Sequence, residues 1–285
     1  MEEKKDTLFS WIWRVIKGAI IGTGAILPGI SGGVLSVVLG IYRPMMEFLS
    51  NPIKSFKKQY KFFLPIVIGF ALGVVLVSGL VDLLFRKSKI PAVWLFIGLV
   101  LGTVPSLFKE AGEHGRGWAG WLSLIICGGL MYALLSFFGN AVAANVQPSL
   151  LWWFICGLLW GIGLIVPGMS PSSIFIYLGL YQPMSAGFSI KALDFSIILP
   201  IGVGLVVMIL LLAKPIKYLF DKHYCVMYHG ILGIVIASTL VIMPFGNASG
   251  TSDILLYAGC FIIGALIAYF MEKASKKLDQ KAEDK

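Results

Sequence analysis

Apolar residues dominate this chain in blocks rather than in stripes. Residues 66–85, 92–108, 118–138, 197–213, 231–245 and 254–270 are almost free of charge. Each approaches the roughly 20 residues that a helix needs to cross the hydrocarbon core of a bilayer. Two further apolar stretches, 18–42 and 152–181, are broken in the middle by Pro-Gly. Proline removes a backbone donor and glycine accepts the angles that end a helix, so each stretch predicts two short helices rather than one. The pattern predicts an all-α polytopic membrane protein with six ordinary spans and two interrupted segments.

Composition agrees: 58% of the residues are hydrophobic, 13% are charged and the mean hydropathy is +0.89, more apolar surface than one soluble core could hide. The net charge of +9 is read loop by loop, as membrane topology rather than as affinity for nucleic acid. Residues 1–5 mix both signs of charge and no small-residue cleavage site follows them, so no removed leader is expected. Cys127, Cys156, Cys225 and Cys260 stand singly without metal-ligand spacing and read as packing residues.

The chain repeats itself. Residues 28–45, PGISGGVLSVVLGIYRPM, align without gaps on residues 167–184, PGMSPSSIFIYLGLYQPM, with 8 of 18 positions identical at an offset of 139. Gly22 and Gly24 match Gly161 and Gly163 in the same register. After a connection four residues shorter, the register continues at an offset of 135, pairing Pro65 with Pro200, Gly69 with Gly204, Phe85 with Phe220, Gly98 with Gly233 and Gly129 with Gly264. An internal repeat of this kind signals duplication. The expected division is an N-terminal interfacial segment 1–17, a first repeat 18–138, a linker 139–150, a second repeat 151–272 and a charged tail 273–285.

Charge then chooses between two topologies. With both interrupted segments re-entrant and the N-terminus inside, 19 of the 23 Lys and Arg residues fall on the cytoplasmic side; with both crossing, only 15 do. The positive-inside rule favours re-entrance. Three crossings per half then give the halves opposite orientations, an inverted repeat with both termini cytoplasmic. The arms 18–27 and 33–42 are about ten residues each, or about 15 Å of helix, half the hydrocarbon thickness. Two hairpins entering from opposite faces would meet at the midplane. This arrangement leaves Arg86, Lys87 and Lys89 outside, against the general trend.

At the tips, Ser31 and Ser170 are expected to cap the returning helices, whose free N–H groups would favour an anion. Gly32 and Gly33 let a ligand approach the backbone, and Ser172 and Ser173 add hydroxyl donors. Irregular backbone at this depth is tolerated only where it is buried in protein or lines a wet cavity, although Gly and Ser also serve close helix packing. Arg14, Lys17 and Arg43 are the cations nearest the first hairpin, able either to attract an anionic headgroup or to anchor the interface beside Trp11 and Trp13. Arg86 is the outer counterpart. Asp82 and His229 are placed near span ends and make poor proton relays, while His114 and His223 fall in loops. No Walker motif, metal-ligand cluster or Ser-His-Asp set is present, so no enzyme and no cofactor are expected.

The paired motifs, PGxSGG…LGxY and PGxS…LGxY, resemble those of bacterial polyprenyl-phosphate transporters of the PopT type over about residues 14–272. Pro171 and Ser172 depart from the Gly-Ser more usual in the second motif. The resemblance implies a flippase that returns undecaprenyl phosphate, the lipid carrier of cell-wall synthesis, from the outer to the inner leaflet. Its phosphate would bind at Pro28, Gly29, Ser31, Gly32 and Gly33 together with Pro167, Gly168, Ser170, Ser172 and Ser173, with Arg14, Lys17 and Arg43 as neighbouring cations. The expected partners are that lipid and the bilayer. A channel for a small anion, or a carrier of a soluble organic anion, would use the same tips.

Overall fold

Glycines set the distances between helices in this protein. A Cβ built on Gly18 would lie 2.1 Å from the Ile66 carbonyl oxygen, and one on Gly69 would lie 1.9 Å from that of Val15. Only hydrogen fits, so the helix backbones touch directly, as in small-residue interfaces within membranes. The contacts recur in the second half at the positions the offsets name: Gly157 against Ile201 and Gly204 against Phe154, at 2.1 and 2.2 Å.

The structure, a computed structural model, describes residues 8–28, 32–50, 52–142, 146–166, 170–244 and 250–283, all helix, turn or loop. The first half comprises α1 (Leu8–Ile26), α2 (Gly32–Val38), α3 (Tyr42–Ser50), α4 (Pro52–Lys87), α5 (Lys89–Ala111) and α6 (Trp118–Val142). The second comprises α7 (Leu150–Ile165), α8 (Ser172–Tyr177), α9 (Tyr181–Phe188), α10 (Phe195–Ile242) and α11 (Thr251–Glu283). Ser149 caps α7 by accepting from the Trp152 amide at 3.4 Å, and Asp194 caps α10 by accepting from the Ser196 amide at 2.8 Å. Helix α10 bends at His223, whose backbone is non-helical; its repeat equivalent is Ser88, the residue that separates α4 from α5.

Among the described residues, six segments are long and apolar enough to cross a membrane: Gln59–Lys87, Lys89–Ala111, Trp118–Phe137, Phe195–Ile216, Tyr218–Ile242 and Thr251–Phe270. They answer to the six spans expected, and this is a multi-pass membrane protein. The fifth begins earlier than the hydropathy suggested, which corrects the placement of His229. That residue lies well inside the span, fully buried, with Nδ1 hydrogen-bonded to the Cys225 carbonyl at 2.7 Å and Nε2 without a partner. The mixed run 224–229 had masked a helix that continues, beyond the bend at His223, into the apolar run after it.

Each half completes the other. Helix α1 packs on α4 and α7 on α10, but α5 packs on α11 and α6 on α10, across the boundary between halves. Glycines again mark the crossings: a Cβ on Gly98 would meet the Phe261 carbonyl at 2.1 Å, and one on Gly233 that of Leu124 at 2.2 Å. Helices α6 and α11 leave most of their span exposed, presenting Ile125, Leu130, Leu255 and Ile263 outward. Apolar side chains exposed in this way are a lipid-facing surface.

Candidate functional site: the broken-helix tips

Helix α1 ends at Ile26 and α2 turns back beside it. Gly32, at the start of α2, lies against the backbone of Ile21 and Ala25. Past its end, the Leu39 carbonyl accepts from Lys17 Nζ at 2.7 Å. The returning helix is shorter than the ten-residue arm expected: α2 has 7 residues and its counterpart α8 has 6. Both stop at the glycine of the LGxY motif. Gly40 and Gly179 adopt φ of 69° and 71°, which side chains resist, and behind them Ile41 N donates to Ser36 O and Leu180 N to Phe175 O. This is the Schellman closure of a helix end, repeated at equivalent positions.

The tyrosine of the motif crosses to the other half. Tyr42 Oη donates to the Ile165 carbonyl at 2.9 Å, and Tyr181 Oη donates to the Ile26 carbonyl at 2.7 Å. Tyr42 is equivalent to Tyr181 and Ile26 to Ile165, so the two bonds are one contact made twice. Such an exchange is the mark of a two-fold relation between the partners. Each tyrosine donates to a carbonyl in the last turn of the helix that precedes the break. Trp160 adds an unrepeated bond, its Nε1 donating to the Ala25 carbonyl at 3.1 Å.

Between these contacts lies a small cavity of about 20 Å³, walled by Gly24, Ala25, Gly32 and Gly33 of the first hairpin and Gly163, Leu164, Ser170 and Pro171 of the second. Phe70 and Leu205, equivalent residues of α4 and α10, close its sides. Most of the lining thus comes in repeat-related pairs. The space takes about one water, so a larger ligand must part the tips. No charged side chain lines it among the described residues.

The predicted site residues divide accordingly. Gly32, Gly33 and Ser170 are brought together at the cavity, Pro28 is buried at the turn, and Ser172 and Ser173 are buried in the first turn of α8. Ser170 does not cap α8: the cap position is Pro171, without a side-chain hydrogen bond, and Ser170 Oγ donates instead to Ser172 Oγ at 3.3 Å. Gly29, Ser31, Pro167, Gly168 and the Arg43 side chain lie outside the described residues.

The neighbouring cations are not at the tip. Arg14 is bound to α4, donating to the Lys61 carbonyl at 3.2 Å and lying over the Phe62 ring, an anchor of the kind its tryptophan neighbours suggested. Lys17 holds the C-terminal end of α2, eight residues and about 12 Å of helix before Ala25. Arg86 is engaged by Asp82 at 2.8 Å. Phe70, Leu205 and Trp160 escaped sequence reasoning because no local pattern reports which long-range side chain closes a cavity. The tyrosines had a signal, identity in both motifs, that pointed to them without revealing their partners.

Two equivalent halves that interlock across their boundary and enclose a shared cavity between broken helices define a duplicated, multi-pass membrane protein with a central cavity. The chain belongs to the VCA0040-like, undecaprenyl phosphate translocase-like family, whose sequence pattern matches residues 50–255. It is 26% identical over 273 residues to a polyprenyl-phosphate transporter of Staphylococcus aureus, covering 91% of this chain and 95% of the relative. It is 22% identical over 252 residues to a polyprenyl-phosphate transporter of Vibrio cholerae, covering 83% and 79%. No solved structure matches the chain.

Proposed function

We propose that this protein carries a polyprenyl phosphate, undecaprenyl phosphate foremost, across the cytoplasmic membrane from the outer to the inner leaflet, and that it does so without chemical transformation. The observation that carries this reading is the central cavity lined by equivalent residues of two hairpin tips. It brings the first-turn N–H groups of α2 and the Ser170 hydroxyl, itself bonded to Ser172, donors of the kind a phosphate needs, into surroundings free of competing carboxylates among the described residues. The names of the two relatives and the family supply the lipid.

In this proposal the halves form an inverted repeat, the hairpins re-enter from opposite faces, and both termini are cytoplasmic. The phosphate binds at Pro28, Gly29, Ser31, Gly32 and Gly33 of the first motif and Pro167, Gly168, Ser170, Ser172 and Ser173 of the second. The short arms α2 and α8 act through free N–H groups rather than a long macrodipole. The polyprenyl chain stays in lipid while the tips part to admit the headgroup. A cavity this small favours a carrier that opens in turn to each side over a standing anion pore.

Reconstitution in liposomes tests this reading. Protein-dependent movement of polyprenyl phosphate between leaflets is expected, with about a hundredfold loss in Ser31→Asp and Ser170→Asp, because a fixed anion repels the headgroup where the local dielectric is low. Normal rates in both variants would exclude the tips, and an anion leak without lipid movement would leave the channel. In intact cells, a cysteine introduced at 43–61 should resist impermeant external reagents, whereas labelling there would reject the re-entrant topology.

A further inference from the structure

A second and larger cavity, about 460 Å³, opens at the far end of α8 from the tip. Ile90 and Val93 of α5, Tyr177 of α8, and Val241 and Met243 at the end of α10 form its walls, and Lys89 is the one charged residue in the lining among the described residues. Tyr177 is held in place by donating its hydroxyl to the Leu135 carbonyl. Beside Lys89 stands Lys87. Both are exposed and neither forms an ion pair among the described residues, whereas Arg86 is paired with Asp82.

We infer that this cavity is the capture site for the phosphate-proximal end of an isoprenoid phosphate, with Lys89 reading the phosphate and the apolar walls receiving the first isoprene units. The inference rests on the transport reading above and specifies where the lipid is taken up. Three observations converge on it. The occupant must be apolar with one anionic end, because the lining is apolar with one cation. Tyr177 lies four residues beyond Ser173, about 6 Å along the helix, so the cavity stands at the opposite end of the short helix that begins at the second tip. Arg86, Lys87 and Lys89 are also the cations that the proposed topology leaves on the outer face, where a phosphate-binding role accounts for them.

The equivalent place in the other half is built differently. The counterpart of Lys89 is Tyr224, packed on His114 and Tyr228 with ring centroids 4.3 and 4.5 Å away, and its hydroxyl donates to Glu113 at 3.3 Å. Aromatic rings and a carboxylate stand there in place of a lysine above an apolar cavity. A lysine over an apolar cavity thus stands at one of the two equivalent places and not at the other, which gives the uptake step a preferred side.

The experiment photolabels the full-length protein in liposomes with a polyprenyl phosphate that carries a diazirine in its first isoprene units. Labelling is expected in the segments around 89–93 and 241–243. It should fall about tenfold in Lys89→Glu and persist in Lys89→Arg, the scale of one lost charge-assisted contact. The half-saturating lipid concentration for transport should rise by a similar factor, with the maximal rate unchanged. Equal labelling in Lys89→Glu, or equal labelling by the uncharged polyprenol, would overturn the capture site. Charge-dependent labelling without transport by the wild type would uphold this site and reject the transport reading. Transport without labelling here would do the reverse.

Discussion

The two halves of this protein share a backbone plan and differ in the chemistry hung upon it. Gly18 and Gly157 bring their helices to the same carbonyl at the same distance, Gly40 and Gly179 end their short helices with the same φ within 2°, and Tyr42 and Tyr181 exchange the same bond. Where the halves diverge, one side carries charge that the other lacks. Lys17, which holds the end of α2, becomes the fully buried Cys156, and Lys89 becomes Tyr224. The first tip presents Gly32 and Gly33 where the second presents Pro171 and Ser172. Symmetry is kept where backbones touch and given up at Lys17, at Lys89 and at the residues of the tips. A carrier with identical halves would have no preferred side.

The comparison is most easily broken at the helix crossings. Gly69→Ala and Gly204→Ala should each destabilise the protein by about 3 kcal/mol, because the new methyl lands within about 2 Å of a backbone carbonyl that a side-chain movement cannot relieve. Thermal unfolding of the detergent-purified variants measures this, and a large difference between the two would deny the shared plan. Next come the reciprocal bonds. Tyr181→Phe should cost about 2 kcal/mol and Tyr42→Phe about 1 kcal/mol, since Tyr181 is fully buried and leaves Ile26 O unpaired in a dry setting, whereas Tyr42 is only partly covered. Equal and negligible shifts would mean that the exchange holds nothing together. The smallest effect belongs to the asymmetric lysine: Lys17→Met should lower stability by about 0.5 kcal/mol, the scale of a cation at a helix C-terminus. A Lys17→Met effect larger than that of Tyr181→Phe would move the burden of the first hairpin from the tyrosine exchange to the lysine.

Legibility in the sequence followed the range of the interaction. The six spans were readable because twenty apolar residues answer to a bilayer whatever their neighbours do. The break at Pro28 was readable because proline acts on its own backbone, whereas the turns at Gly40 and Gly179 were missed, the expected arm 33–42 having run through Gly40 as helix. His229 was misplaced because hydropathy averages over a window, whereas helix continuity from Tyr224, past the bend at His223, depends on backbone hydrogen bonds that polar residues make equally well. Ser170 was expected to cap from a pattern that holds at ordinary helix starts, but Pro171 takes the cap position and turns the serine toward Ser172.

By itself the sequence determined that the chain crosses membranes, that it is duplicated, and where its helices break, because these are properties of composition, self-similarity and single-residue stereochemistry. Tertiary structure decided that the two breaks face one cavity, that each motif tyrosine serves the opposite half, that Arg14 and Lys17 are tied elsewhere, and that Lys89 stands over an apolar pocket. Those depend on residues as many as 155 positions apart. Contacts at such separations are settled by how whole helices pack, and no local pattern along the chain encodes them.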